Sequence, residues 1–323
     1  HIQERTGAAV IIIEHRLEDV LWRRMDRIVL MDEGRIVADM PAKAFLSGRM
    51  LLEHGIREPL YLTALRYAGV PITEEIEPQH VDSLRLSGTQ KESVRNWYRA
   101  NSGYTKEKKE NPILLDVENL TFGYTPEKTN LKDVSFSVRE GEMVSIVGKN
   151  GAGKSTLAKL ICGFEKPAAG RICLSGRDIS GDTIKERAQR IGYVMQNPNQ
   201  MISKPLIWDE VEMALLAGNM SAEERKERVE ETLKICGLYP FRKWPVSALS
   251  YGQKKRVTIA GILVQRPRMI ILDEPTAGQD YHHYTEIMEF LKSLNEAGVT
   301  ILMITHDMHL MLEYTPRAIV FSE

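Results

Sequence analysis

Residues 143–156 read Met143-Val144-Ser145-Ile146-Val147-Gly148-Lys149-Asn150-Gly151-Ala152-Gly153-Lys154-Ser155-Thr156. The run Met143 to Val147 has the character of a buried strand. Behind it, Gly148, Gly151, Gly153, Lys154 and Ser155 fit the G-x-x-x-x-G-K-[ST] spacing of a phosphate-binding loop. The chemistry asks for these residue types. Glycines let the backbone curl until its N–H groups face phosphate oxygens. A helix predicted to start near Lys154, with Leu157, Leu160 and Ile161 on its apolar face, adds the positive end of its dipole. Lys154 can reach the β- and γ-phosphates, and the Ser155 hydroxyl can ligate Mg²⁺. Asn150, Ala152 and Thr156, within or just after the motif, are expected to contact the nucleotide as well. The competing reading is a chance glycine-rich turn. The strand before the loop and the helix after it argue against that.

A second segment gains meaning from the first. Met269-Ile270-Ile271-Leu272 is a short apolar run ending in Asp273 and Glu274. Many buried strands end in a carboxylate. Beside a phosphate loop, Asp273 is placed to hold Mg²⁺, and Glu274 to orient or deprotonate an attacking water.

Composition limits the alternatives. The chain has 323 residues, 43 Lys+Arg against 44 Asp+Glu, and a formal net charge of -1. That balance argues against a strongly basic nucleic-acid binder. Cys162, Cys173 and Cys236 are scattered without metal-ligand spacing, so reduced thiols are expected. No apolar run approaches the roughly 20 residues a membrane-spanning helix needs. The start at His1, without a methionine, suggests a fragment.

Between the two motifs lies Ala248-Leu249-Ser250-Tyr251-Gly252-Gln253-Lys254-Lys255-Arg256-Val257. This resembles the signature of ABC-transporter ATPases, usually LSGGQ, with Tyr251 in place of the first glycine. Ser250 is read as a helix N-cap with Gln253 at the capping-box position, and Gly252 keeps the helix entrance open to a phosphate. Further landmarks of the family follow in order. Gln196 resembles the Q-loop glutamine, and Ala277-Gly278-Gln279-Asp280 resembles the D-loop. His306, beyond a strand predicted over Thr300 to Ile304, resembles the switch histidine. Tyr124 resembles the aromatic that stacks on adenine. The resemblance spans about residues 113–323. It implies an α/β P-loop NTPase of ABC ATPase type: a RecA-like core, an antiparallel β subdomain and an α-helical signature subdomain. It further implies ATP and Mg²⁺ as cofactors. Glu274, His306 and Gln196 would be catalytic, and Ser155, Gln196 and Asp273 would serve the metal. Tyr124, the phosphate loop, and Ser250, Gly252 and Gln253 from an opposing domain would contact nucleotide. A helix over Ser221 to Gly237, capped by Ser221 with Glu224 three residues on, falls in the helical subdomain.

An internal repeat organises the remainder. Gly7-Ala8-Ala9-Val10-Ile11-Ile12-Ile13-Glu14-His15 aligns without gaps on Gly298-Val299-Thr300-Ile301-Leu302-Met303-Ile304-Thr305-His306. In the same register Arg27-Ile28-Val29-Leu30 lies over Ala318-Ile319-Val320-Phe321. Residues 1–40 are therefore expected to be the tail of a first ABC ATPase domain with its own switch histidine, His15, so that the parent protein carries two such domains. Asp32 to Val37 would belong to that domain's final hairpin, and the chain would stop at Glu323 where the second domain's equivalent begins. Residues 41–80 read as a helical extension, 81–112 as a polar flexible linker, and 113–323 as the second ATPase domain.

Gln196-Asn197-Pro198-Asn199-Gln200 and Arg256 to Leu263 resemble the ATPases of energy-coupling-factor importers, as does the helical extension. Tandem ATPases fit the cobalt, biotin and thiamine-precursor group. The Ser-Tyr-Gly-Gln and Ala-Gly-Gln-Asp variants resemble the thiamine-precursor branch. The resemblance implies a transmembrane coupling protein, a substrate-specific membrane component, and a peripheral position on the cytoplasmic face of the membrane. The alternative is a soluble tandem ABC ATPase working on ribosomes or nucleic acid. The near-neutral charge and the absence of a long basic linker speak against it, and Lys154 to Ser250 is too short to hold a coiled-coil insertion.

Overall fold

The computed structural model describes residues 5–14, 17–21, 23, 25–101, 111–125, 128–279 and 281–322. They fall into two compact units, one built mainly from residues 5–101 and the other mainly from 111–322.

In the first unit a short helix, α1 (Leu17–Leu21), precedes an antiparallel hairpin of β1 (Ile28–Asp32) and β2 (Arg35–Met40). The turn residues Glu33 and Gly34 both have positive φ, 46° and 76°, the backbone that a two-residue hairpin requires. Helices α2 (Ala42–Ser47), α3 (Met50–Glu53) and α4 (Leu60–Tyr67) follow. Leu30 and Ala38 from the hairpin bury against Phe45, Leu46, Leu62 and Leu65 from the helices. Glu58, also buried, is held by the Arg66 guanidinium through two donors at 2.7 and 2.8 Å.

The span expected to be a flexible linker contains a helix, α5 (Gly88–Asn101). Its physical basis is local. Ser87 Oγ accepts from the Gln90 amide, and the Gln90 side chain accepts from the Ser87 amide, a capping box. Val94 then packs on the core of this unit and Trp97 stacks on Tyr67 at 6.0 Å. Residues 102–110 of the expected linker lie outside the described residues.

The second unit opens with β3 (Ile113–Phe122) and β4 (Leu131–Arg139). Next come β5 (Met143–Gly148), α6 (Lys154–Cys162), β6 (Ala169–Leu174) and the two-residue β7 (Arg177–Asp178). Helix α7 (Ile184–Ala188) and β8 (Ile191–Val194) lead into α8 (Ile207–Met213), α9 (Ala222–Ile235) and α10 (Tyr251–Leu263). The unit closes with β9 (Met269–Asp273), α11 (Tyr281–Glu296), β10 (Thr300–Thr305), α12 (Met308–Tyr314) and β11 (Arg317–Phe321).

Two sheets result. Strands β11-β5-β10-β9-β8 form an all-parallel sheet, and β4-β3-β6-β7 an antiparallel one. In the parallel sheet β9 and β10 are buried along their whole length, which is why they read as unbroken apolar runs and not as alternating ones. One core unites Leu157, Leu160 and Ile161 of α6 with the antiparallel sheet. A second joins α8, α9 and α10 to the opposite side of β9 and β10. The parallel core, antiparallel β subdomain and helical subdomain expected from the sequence are all present.

Candidate active site

The parallel register assembles the site. Val147 lies beside Thr305, and Ile304 beside Asp273. The strands therefore deliver Asp273, Glu274, Thr305 and His306 to the carboxyl edge of the sheet, next to the loop that follows β5. Such an edge is where open α/β sheets bind ligands.

That loop needs its glycines. Gly153 caps α6 with φ 93° and ψ 5°. A Cβ there would sit 2.6 Å from Leu131 Cδ2 and 2.9 Å from the Asn130 carbonyl, so backbone and packing both exclude a larger residue. Lys154, the first residue of α6, is buried. Its ammonium donates to the carbonyls of Gly148 at 2.6 Å and Lys149 at 3.0 Å. The positive charge is thus held over the mouth of the loop, where the anionic part of a nucleotide would approach.

The acids are fixed from several sides. Ser155 Oγ donates to Asp273 Oδ1 at 3.3 Å, and the Tyr193 hydroxyl donates to Asp273 Oδ2 at 3.0 Å. Burial, followed by the Asp273 charge, pushes the Tyr193 hydroxyl well above its ordinary range, so it remains a proton donor to the carboxylate. Glu274 adopts φ 47°, a left-handed conformation unusual for a residue with a side chain. Its N–H donates to the Ile304 carbonyl at 2.8 Å, which holds that backbone in place. Thr305 Oγ1 donates to Glu274 Oε2 at 3.3 Å, and Glu274 Oε1 lies 2.6 Å from His306 Nδ1. The acid and the histidine form one hydrogen-bonded unit. Glu274 is mostly buried, whereas His306 is half exposed.

Tyr124 is half exposed, packs edge-on against Phe122 at 4.9 Å, and has Lys159 Nζ 5.9 Å from its ring centre. Its hydroxyl is 3.5 Å from Thr156 Oγ1, so this exposed ring and the phosphate loop belong to one neighbourhood. At the start of α10 the expected capping box is present: Gln253 N donates to Ser250 Oγ at 3.3 Å, and Ser250 N to Gln253 Oε1 at 3.0 Å. The equivalent box at Ser221 and Glu224 caps α9. A Cβ on Gly252 would meet nothing closer than 3.7 Å. Neither backbone strain nor packing among the described residues therefore demands a glycine there.

The structure brings Lys154, Ser155, Asp273, Glu274 and His306 together. Among the described residues, no hydrogen bond joins Ser250, Gly252 or Gln253 to that group. The Gln196 segment is tied to α10 through its main-chain carbonyl, which accepts from Lys255 Nζ and the Tyr251 hydroxyl. Asp280 and His15 lie outside the described residues. Three participants were not anticipated from the sequence: Tyr193, Thr305 and Lys255. Thr305 and Tyr193 are brought in only by strand pairing. Lys255 is almost fully buried, and burial lowers its ammonium to about 8 against the opposing pull of Asp273 and Glu274. The i, i+4 spacing from Tyr251 was its only sequence signal.

Comparison with known proteins places this geometry. Residues 131–277 match the family described as ABC transporter, and residues 48–122 match one described as ATP-binding cassette cobalt transporter. A Clostridium perfringens protein with the provisional name of ABC transporter ATP-binding protein is 56% identical over 321 residues, covering 99% of this chain and 56% of the relative. One from Enterococcus faecalis is 55% identical over 326 residues, covering 100% and 56%. The chain thus spans about half the length of the curated relatives it matches. Among solved structures, cbiO1 from Clostridium perfringens, described as part of the ABC transporter complex cbiONQ, superposes with a TM-score of 0.63. It is 34% identical, over 66% of this chain and 86% of that one. A dimeric ATP-binding cassette in a post-hydrolysis state with ADP and Pi gives a TM-score of 0.56 at 33% identity, over 65% and 94%. The matched spans take in the phosphate loop, the capped α10 and the Asp273–Glu274 pair, and on that agreement the chain belongs to the ATP-binding proteins of ABC transporters.

Proposed function

We propose that this chain is the ATP-hydrolysing part of an energy-coupling-factor importer. In this reading a transmembrane coupling protein and a substrate-specific membrane component complete the machine, and the ATPase sits peripherally on the cytoplasmic face. The observation that carries it is the hydrogen-bonded run Ser155–Asp273 and Glu274–His306 at the mouth of the phosphate loop. The match of residues 48–122 to a family described as a cobalt transporter, and the likeness to cbiO1, favour a transition-metal ion as cargo over a vitamin precursor.

The donor set suits Mg²⁺. Ser155 and Asp273 offer hard oxygens facing each other, the ligand type this ion takes. Gln196 is the third candidate. Bound there, the ion would supply charge neutralisation at the β- and γ-phosphates. This chain's own residues then have separate duties. Lys154 and the loop amides bind the phosphates, and Tyr124 offers its exposed ring to the base. Glu274 accepts the proton of the attacking water, and its short bond to His306 orients the imidazole toward the γ-phosphate. Ser250, Gly252 and Gln253 act on the nucleotide of an opposing domain, which accounts for a glycine at 252 that no packing among the described residues requires.

We further propose that the opposing domain precedes this one in the parent protein. Val10 to Ile13 are exposed, yet their repeat partners Ile301 to Ile304 are fully buried between β5 and β9. The counterpart sheet that would cover them belongs to the first ATPase domain. The test is purification of the full-length protein from its own host membranes. Stoichiometric recovery of small multi-spanning membrane proteins, with ATPase activity, supports the reading. Recovery with ribosomes or nucleic acid instead would replace it with the soluble alternative.

A further inference from the structure

The face of α10 that looks toward the Gln196 segment carries two donors one helical turn apart. The Tyr251 hydroxyl donates to the Gln196 carbonyl at 3.2 Å. Lys255 Nζ donates to the same carbonyl at 2.6 Å and to the Met195 carbonyl at 3.0 Å. Lys255 is 1% exposed. An ammonium buried that deeply is costly unless acceptors and negative charge surround it. The two carbonyls provide the acceptors, and Asp273 and Glu274 supply the field. At the other end of the tie, Gln196 is exposed. A shift of residues 195–196 therefore has two outcomes. It strips a buried ammonium of its acceptors, or it carries the start of α10 along.

We propose that Tyr251 and Lys255 are positioning residues that latch the 195–196 segment to α10, so that the segment and the Ser250–Gly252 end of the helix move as one body. The latch rests on the ATPase reading above and adds a regulatory connection to it. Whatever displaces the exposed Gln196 segment also changes how Ser250 and Gly252 are presented to the opposing nucleotide. The Tyr251 hydroxyl tightens the tie at a position where the family signature has a glycine, which cannot make that bond.

Hydrogen exchange on the chain, read by mass spectrometry with and without a nonhydrolysable ATP analogue, tests this. Without nucleotide, Lys255→Met is expected to speed exchange of the 195–201 amides by about tenfold, and Tyr251→Phe by about threefold. Lys255→Gln, which keeps an N–H donor, should recover part of the protection. With nucleotide, wild type should change protection at 195–201 and at 250–254 together. In Lys255→Met the two segments should respond separately. Unchanged exchange at 195–201 in both Lys255→Met and Tyr251→Phe overturns the latch. If Lys255→Met loosens β5 and β9 as well, Lys255 is a folding residue, and Tyr251→Phe alone decides, since it removes one hydroxyl at an exposed helix start. A wild-type chain that shows the latched protection but binds no nucleotide would refute the ATPase reading and leave the mechanical tie standing.

Discussion

In the proposed reading, Lys154 and Glu274 carry separable parts of the chemistry. The Lys154 ammonium already spends its donors on the Gly148 and Lys149 carbonyls, so removing it leaves the loop backbone able to accept a nucleotide but without charge to meet the phosphates. A charged hydrogen bond is worth about 2 kcal/mol, or roughly thirtyfold in affinity. Lys154→Ala is therefore expected to weaken ATP binding by about that factor, measured by titration with a fluorescent analogue. Wild-type affinity would remove Lys154 from the phosphate site. Glu274→Gln keeps the shape and the Thr305 and His306 neighbours but cannot take up a proton. Binding should persist while turnover falls on the order of 10²–10⁴-fold. Normal turnover would move the base elsewhere, with His306 next in line. The loop, Asp273, Glu274 and His306 were all legible in the sequence, because each sits beside a motif that announces itself locally. Tyr193 and Thr305 were not, because their contacts depend on β8 and β10 flanking β9, an adjacency that no local spacing encodes.

At the scale of elements, α10 and α5 teach opposite lessons. Both begin with a Ser-x-x-Gln capping box. In α10 the surrounding signature drew attention to it. In α5 the polar composition of residues 81–112 masked the same signal, and Trp97 and Val94 supplied the packing that composition alone did not suggest. The start of α10 offers a clean test of the outward role proposed for it. A methyl group at position 252 meets only ordinary contacts, and alanine favours helix over glycine by about 1 kcal/mol. Gly252→Ala should therefore melt at or above the wild-type temperature, yet lose about tenfold or more in hydrolysis where a second domain's phosphate must approach. Equal hydrolysis would show that nothing docks there. The cysteines test the packing of α6 and the helical subdomain. Burial pushes the thiols of Cys162 and Cys236 up to about 12, whereas Cys173 is only partly buried and less protected. Since the thiolate is the reactive form, iodoacetamide at pH 8 should modify Cys173 first. Cys162 and Cys236 should react comparably only in denaturant. Native labelling of Cys162 as fast as Cys173 would contradict the packing around α6.

At the scale of the whole molecule, the proposed reading makes the site in this chain half of a working one. This chain would supply Lys154, Asp273, Glu274 and His306, and among the described residues no hydrogen bond joins its own Ser250 or Gly252 to them. If the missing half comes from an opposing domain, two copies of this chain must pair before either hydrolyses ATP at speed. Activity per molecule should then climb with protein concentration, because pairing is bimolecular. If the proposed upstream ATPase domain is joined to this chain, the order of the reaction changes. A tethered partner has an effective concentration on the order of millimolar, so activity should become independent of dilution. The experiment is a steady-state ATPase assay across a hundredfold dilution of this chain and of the full-length protein. A steep fall for the first and a flat line for the second would support both the shared site and the repeat seen at Val10 to Ile13. High, flat activity from this chain alone would refute the shared site. It would require the structure's single set of donors around Glu274 to suffice, and would leave Gly252 and the exposed Val10 to Ile13 without the partner that explains them.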